Sequence, residues 1–134
     1  MFVDACAIVA LLTDEPTAPA YEAALSRARN AVTSPLAAWE AIIVLSQRGK
    51  LNLPYSKTET IVCEWLGERG IELQEGGSPS EILSHAVRVA EKFGIGKRGL
   101  SNLDCFHYAY AKALKQSLLT LDAELRKTDI DCAP

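Results

Sequence analysis

Four acidic residues stand where a carboxylate could take part in chemistry. Two of them, Asp4 and Asp122, come directly after short apolar runs at residues 1–3 and 117–121 that are typical of buried strands. In an open parallel sheet, ligands bind beyond the carboxyl ends of the strands, so two such aspartates would emerge at the same edge. Aspartate is also a favoured N-cap residue, and each side chain could simply cap the helix that follows. For either residue taken alone, both interpretations stay open.

Glu40 has fewer ordinary explanations. It lies in an otherwise apolar stretch, with Leu36 four residues before it and Ile43 and Val44 three and four residues after it. Residues at these spacings share one face of a helix, so we expect this face to be buried. A buried carboxylate is costly unless a cation compensates it. An ion pair with an arginine is one solution, and a bound metal ion is the other.

Asp104 follows Ser101 at the spacing of a capping box, in which the two side chains close the first turn of a helix. That structural role would be a sufficient explanation. The same geometry also suits a functional role, because a carboxylate at a helix N-terminus stands beside free N–H groups and is favoured by the helix dipole. Both roles stay open for Asp104.

Brought together, the four carboxylates would suit a metal ion. Their mutual repulsion would raise their pKa values unless divalent cations neutralised them. Ligand sets made only of oxygen select hard ions, chiefly Mg²⁺ or Mn²⁺. Such an ion can activate a water for in-line attack on a phosphodiester and stabilise the leaving oxygen. The pattern therefore predicts Asp4, Glu40, Asp104 and Asp122 as metal ligands and catalytic residues of a phosphodiesterase.

Short apolar strands that alternate with helices must position these acids. We predict strands at residues 1–3, 31–33, 71–74 and 117–121, with an edge strand at 128–132. We predict helices at residues 5–12, 16–29, 35–48, 55–69, 79–93 and 102–115. This alternation is typical of an α/β fold with a mainly parallel sheet. A chain of 134 residues without a linker-like stretch predicts a single domain over residues 1–134.

Composition excludes several classes of protein. No apolar run approaches the roughly 18 residues that span a bilayer. No basic segment precedes the apolar start as it would in a signal peptide, so we expect a cytoplasmic protein. The four cysteines are scattered without a C-x-x-C pair, so we expect no zinc site and thiols that act as small buried hydrophobes. The net charge is −3, but with four of the 17 acidic residues set aside for metal the other 13 nearly balance 14 lysines and arginines, which leaves RNA possible as a substrate.

The sequence resembles the PIN-domain family, and within it the VapC-like toxins of type II toxin–antitoxin systems. The resemblance covers essentially the whole chain and lies in four segments, each with one of the acids: residues 2–16, 34–41, 103–109 and 118–130. It implies a three-layer α/β/α sandwich and Mg²⁺- or Mn²⁺-dependent endoribonuclease activity. It also implies a homodimer and a partner antitoxin that neutralises the enzyme.

Two departures from the family pattern bear on mechanism. The family usually carries serine or threonine two residues after its first aspartate, where this chain has Cys6. The usual asparagine and glycine near the third acid are displaced, since Ser101 and Asn102 precede Leu103 here. Neither departure removes a carboxylate, but Cys6 leaves open how water or substrate is positioned. Asp129 is a possible fifth acid, for which a structural or peripheral role is the better interpretation.

Several other residues have both a functional and an ordinary interpretation. Lys97 and Arg98 lie in a glycine-rich loop before Asp104 and could contact RNA phosphates, or they could belong to a solvated loop. His107 is better explained as a core or surface histidine than as a general base. By analogy with the family, the apolar faces of residues 16–70 could bind an antitoxin segment in a groove.

Two other functions compete with the ribonuclease. A metal-dependent phosphohydrolase would use Asp4 as a covalent nucleophile, but such enzymes commonly need a second aspartate where this chain has Cys6. A PIN-like binding or scaffold module without catalysis is the non-enzymatic alternative. Metal binding at the acidic residues would distinguish it from the ribonuclease.

Overall fold

Five parallel strands form the central sheet of the computed structural model, which describes all 134 residues. Their order across the sheet is β3-β2-β1-β4-β5, and every neighbouring pair is parallel. The strands are β1 (Phe2–Val3), β2 (Val32–Thr33), β3 (Glu72–Leu73), β4 (Leu118–Leu119) and β5 (Cys132–Ala133). Because β1 lies beside β4, the residues that follow these two strands emerge side by side. This confirms the predicted α/β fold with a parallel sheet.

Six helices connect the strands. They are α1 (Ala5–Leu12), α2 (Ala18–Leu25), α3 (Pro35–Leu45), α4 (Tyr55–Glu68), α5 (Pro79–Phe93) and α6 (Asn102–Ala113), and a short 3-10 helix lies at Leu125–Lys127. Four helices begin at a residue whose side chain accepts a hydrogen bond from the first turn: Asp4, Ser34, Ser78 and Ser101. These caps fix where the helices begin.

Alternating side chains along the strands build two cores, one on each face of the sheet. Phe2 packs in the core under α5 and α6, whereas Val3 packs in the core formed with α1, α2, α3 and α4. Leu118 and Leu119 divide between the same two cores. The sheet is therefore covered by helices on both faces, as in a three-layer sandwich.

Several predicted boundaries were wrong. Helix α2 begins at Ala18 rather than at residue 16, with a proline in its first turn, and ends at Leu25 because the chain then tightens into i→i+3 hydrogen bonds. Helix α3 ends at Leu45 rather than at residue 48 for the same reason. The edge strand begins at Cys132 instead of residue 128, since Thr128 turns back to bind the carbonyl of Leu125 through both its N–H and its hydroxyl.

The cysteines only partly follow the prediction that they act as buried hydrophobes. Cys105 is buried, but Cys63 is exposed and Cys6 takes part in a polar network. No helix has the length and apolar character needed to cross a membrane.

Candidate active site at the carboxyl edge of the sheet

Asp4 is the most buried of the four acids, with 3% of its surface exposed. It is the residue between β1 and α1, and its Oδ1 accepts the N–H of Ala5 at 2.8 Å. Its Oδ2 accepts the hydroxyl of Thr120 at 2.7 Å and the thiol of Cys6 at 3.0 Å. The capping role predicted as an alternative is therefore real, and the second oxygen is held as well.

Thr120 joins Asp4 to Asp122. This fully buried threonine follows β4, and its hydroxyl donates to Asp4 while accepting the N–H of Asp122 at 3.1 Å. The arrangement arises because β1 and β4 are neighbours and end at the same edge. The sequence pattern predicted that these two aspartates would emerge together, but it did not identify the threonine that links them.

Cys6 takes the place of the expected serine or threonine and still behaves as a donor. Its sulfur lies 3.2 Å from the Tyr21 hydroxyl and 3.3 Å from the Thr120 hydroxyl oxygen. Burial, and then the neighbouring charge of Asp4, raise the pKa of the Cys6 thiol to about 12. The sulfur therefore stays protonated at neutral pH and can donate to Asp4.

Glu40 has a partner that was not predicted. The Nε2 of His107 lies 2.5 Å from Glu40 Oε2 and 3.8 Å from Asp4 Oδ1. The Glu40 side chain is 29% exposed, so its helix face is only half-buried. We expected an arginine or a metal ion to compensate this acid, and the structure shows a histidine in the place of the arginine. The one signal in the sequence was that His107 lies one helical turn beyond Asp104.

His107 is a core histidine, which is one of the two ordinary interpretations given above, and its ring bridges two acids. It is 1% exposed, packs beside the Phe2 ring, and leaves its Nδ1 buried without a hydrogen-bond partner. Burial by itself lowers the pKa of His107. The hydrogen bond to Glu40 and the charges of Asp4, Glu40 and Asp104 outweigh burial and raise this pKa above its usual value. A protonated His107 offsets the repulsion between Asp4 and Glu40.

Asp104 forms the capping box expected from its spacing. Its Oδ2 accepts the N–H of Ser101 at 2.6 Å, while its own N–H donates to the Ser101 hydroxyl at 3.0 Å. Its Oδ1 makes no hydrogen bond within the protein. The structural role therefore uses one oxygen and leaves the other for a ligand.

The two carboxylate oxygens of Asp122 also differ in their contacts. Its Oδ1 accepts the N–H groups of Glu124 and Leu125, both at 2.9 Å, in the turn that leads into the 3-10 helix. Its Oδ2 makes no hydrogen bond within the protein. Both Asp104 and Asp122 thus use one carboxylate oxygen for backbone N–H groups and leave the other oxygen free.

Asp104, Asp122 and Glu124 line one open cleft of about 410 Å³ at this edge, which we call the acidic cleft. Glu124 was missed by the sequence interpretation, although its position two residues after Asp122 was a signal. The loop before α6 lines the acidic cleft through Gly96 and Gly99. Lys97 and Arg98 of the same loop are exposed and do not line it.

The four predicted acids are brought to one edge but do not converge on one point. Asp4 and Glu40 meet through His107, whereas Asp104 and Asp122 share the acidic cleft. No three histidine, cysteine, aspartate or glutamate side chains stand close enough together to hold a metal ion. The free oxygens of Asp104 and Asp122 are nevertheless hard donors, the kind that Mg²⁺ and Mn²⁺ bind. The chemistry of these oxygen ligands fits such an ion, but the side chains do not surround a single point.

Comparison with known proteins assigns the chain to a family. The sequence model of the PIN domain matches residues 1–131. The chain belongs to the PIN-domain family. Similar proteins include Ribonuclease VapC of Mycolicibacterium smegmatis, 32% identical over 133 residues with 97% of each chain covered. Ribonuclease VapC30 of Mycobacterium tuberculosis is 28% identical over 130 residues, covering 97% of this chain and 95% of that one.

A solved structure confirms the fold of this PIN domain. The structure of VapBC-1 from nontypeable Haemophilus influenzae is similar with a TM-score of 0.69 and 21% identity, and the match covers 98% of this chain and 94% of that chain. The resemblance to VapC-like proteins that the four motifs indicated is confirmed by the family model and by the VapC relatives, whereas this structure confirms the fold.

Proposed function

We propose that this PIN domain is a Mg²⁺- or Mn²⁺-dependent endoribonuclease and the toxin of a toxin–antitoxin pair. The observation that carries this proposal is the acidic cleft, where Asp104 and Asp122 each present a free carboxylate oxygen at the carboxyl edge of a parallel sheet. Ligands of parallel α/β proteins bind at this edge. The names of the VapC relatives, which are ribonucleases, support RNA as the substrate.

A metal ion in the acidic cleft would be held by Asp104 and Asp122 through their free oxygens, while Asp4 and Glu40 lie at the same edge outside this cleft. When bound, the ion would supply an activated water and stabilise the leaving oxygen of the phosphodiester. The protein's own groups prepare that site. Thr120 and Cys6 hold the Asp4 carboxylate, and His107 holds one oxygen of Glu40 while leaving Oε1 free.

Partners follow from the relatives. The solved structure with this fold is of VapBC-1, and this supports an antitoxin as partner of this chain. We infer that the antitoxin blocks access to RNA and that the enzyme acts as a homodimer, as the family resemblance implies.

Cleavage of total RNA by the purified protein, freed of any bound antitoxin, tests the activity. We expect cleavage with Mg²⁺, none with EDTA, and none from Asp104→Asn. This variant removes a charge but keeps an oxygen that can accept the Ser101 N–H, so α6 should remain capped. The matched control is Asp131→Asn, which changes charge equally at an exposed residue outside the site. A folded wild-type protein that leaves RNA intact in Mg²⁺ and Mn²⁺ would refute the proposal.

A scaffold function is the second candidate, because no three ligating side chains converge. It would be favoured if calorimetry detected no Mn²⁺ binding. The phosphohydrolase with Asp4 as covalent nucleophile is disfavoured. Asp4 is only 3% exposed, which limits the approach of a substrate, and the hydrogen bonds to both of its oxygens weaken the carboxylate as a nucleophile.

A further inference from the structure

A second cleft lies between α5, α6 and the segment that leads to β5. Its volume is about 250 Å³, and its charged walls are Arg88 and Lys92 from α5, Lys112 from α6 and Asp129 from the segment before β5. Three fixed positive charges face one negative charge. We call it the cationic cleft, and it stands out in a chain whose net charge is −3.

Asp129 contacts both lysines of the cationic cleft. The Tyr108 hydroxyl donates to Asp129 Oδ1 at 2.7 Å, and Lys92 Nζ lies 3.3 Å from Oδ2. Lys112 Nζ donates to the backbone carbonyl of Asp129 at 3.3 Å and lies 3.8 Å from Oδ1. One carboxylate thus holds two ammonium groups near each other and neutralises only one of them.

Arg88 has no acidic partner. Its guanidinium donates to the Ser84 hydroxyl at 2.8 Å, and the remaining donors are free. A guanidinium with free N–H groups is well suited to a phosphate, which it can bind through two parallel hydrogen bonds. Neither Arg88 nor the second lysine is neutralised by a carboxylate. The cationic cleft therefore carries two positive charges in excess.

Helix α6 connects the cationic cleft to the acidic cleft. Asp104, Tyr108 and Lys112 follow one another at intervals of four residues and therefore lie along one side of the helix. Asp104 lines the acidic cleft, whereas Tyr108 and Lys112 line the cationic cleft. Eight residues of helix rise about 12 Å. A polymer bound at the acidic cleft could therefore extend along α6 into the cationic cleft.

We propose that Arg88, Lys92 and Lys112 bind the phosphates of the RNA strand that flank the bond to be cleaved. The inference rests on the proposed ribonuclease function and locates its substrate. An acidic chain needs local positive charge to attract a polyanion, and this cleft supplies it beside the acids. RNA is favoured over an acidic protein segment because both clefts lie along α6, so that one polymer can extend over both, and only a nucleic acid would present a phosphodiester to the acidic cleft.

Fluorescence anisotropy with a labelled single-stranded RNA oligonucleotide of mixed sequence, in EDTA to prevent cleavage, tests this surface. The variant is Arg88→Gln/Lys92→Gln/Lys112→Gln. The matched control is Arg27→Gln/Arg29→Gln/Lys57→Gln, which removes three charges at exposed residues that line neither cleft. Each lost phosphate contact should weaken binding about fivefold near 0.1 M salt and make the log–log salt slope less negative by about 0.7. We expect the triple variant to bind about a hundredfold more weakly, and the control to change far less.

The results distinguish this inference from the function on which it rests. If wild type cleaves RNA in Mg²⁺ but the triple variant binds RNA as tightly as the control, the inference is wrong and the ribonuclease stands. Unchanged RNA affinity with weakened binding of poly-glutamate would assign the cleft to an acidic protein segment instead. If wild type neither binds nor cleaves RNA, both fail. Should the triple variant unfold, Arg88→Gln alone, which breaks no ion pair, must still weaken RNA binding about fivefold.

Discussion

Replacing Thr120 by valine should destabilise the protein more than the same change at Thr33. Thr33 ends β2 and Thr120 follows β4, and these two strands lie on the two sides of β1. Both threonines are fully buried, and a valine side chain fills nearly the same volume as a threonine side chain. The Thr120 hydroxyl donates to the Asp4 carboxylate at 2.7 Å, whereas the Thr33 hydroxyl donates to the neutral carbonyl of Val3 at 2.7 Å. The pair therefore differs in the charge of the acceptor and in one further hydrogen bond, because only the Thr120 hydroxyl also accepts a backbone N–H.

The expected magnitudes follow from that difference. A hydrogen bond to a charged group contributes about 1.5–3 kcal/mol, and a neutral one contributes about 1 kcal/mol. Thr120→Val also removes the acceptor of the Asp122 N–H. We expect Thr120→Val to lower the free energy of unfolding by about 2–3 kcal/mol and Thr33→Val by about 1 kcal/mol.

Urea unfolding of both variants at neutral pH in EDTA measures these values. EDTA removes any bound metal ion, so that only the protein's own contacts are compared. If Thr120→Val costs no more than Thr33→Val, Thr120 does not hold Asp4 in the way described, and the positioning of the site must depend on other contacts.

The remaining predictions concern His107 and Asp129. His107→Leu leaves Glu40 half-buried without its donor and should cost about 2 kcal/mol, whereas His107→Gln, which keeps an N–H, should cost less in the same unfolding assay. Because the pKa of His107 is raised in the folded state, the protonated ring stabilises the fold. This stabilisation is fully present below about pH 6.5 and is lost as the pH rises through the folded-state pKa. The difference in unfolding free energy between metal-free wild type and His107→Gln should therefore shrink as the pH rises. A constant difference would contradict a raised pKa for His107. The Tyr108 hydroxyl is the main cause of the lowered pKa of Asp129, so Tyr108→Phe should raise that pKa in an NMR titration.

Much of the site's placement could be predicted from local sequence. Ser101 and Asp104 specify their capping box within four residues, and Asp4 is placed by the apolar strand before it. These features depend on neighbours in the chain, which a pattern can contain. The parallel order of the strands then brought Asp4 and Asp122 to one edge, as the rule for open sheets indicates.

Contacts between distant residues could not be predicted in this way. Glu40 and His107 are 67 residues apart, and either could have been compensated by some other group. Thr120 reaches Asp4 across 116 residues only because β1 and β4 are neighbours. The end of α2 likewise depends on how residues 26–28 tighten their hydrogen bonds rather than on any stop residue.

Binding of Mn²⁺ measured by isothermal titration calorimetry tests the central claim most directly. Asp104→Asn/Asp122→Asn removes the two free carboxylate oxygens, and each asparagine keeps an oxygen for the capping bonds. Glu68→Gln/Asp131→Asn is the control with the same change of charge at two exposed residues outside the acidic cleft. We expect the wild type and the control to bind Mn²⁺, and the Asp104/Asp122 variant to lose binding while remaining folded. Equal Mn²⁺ binding by that variant, or none by folded wild type, would contradict the assignment of the acidic cleft as a metal-dependent active site.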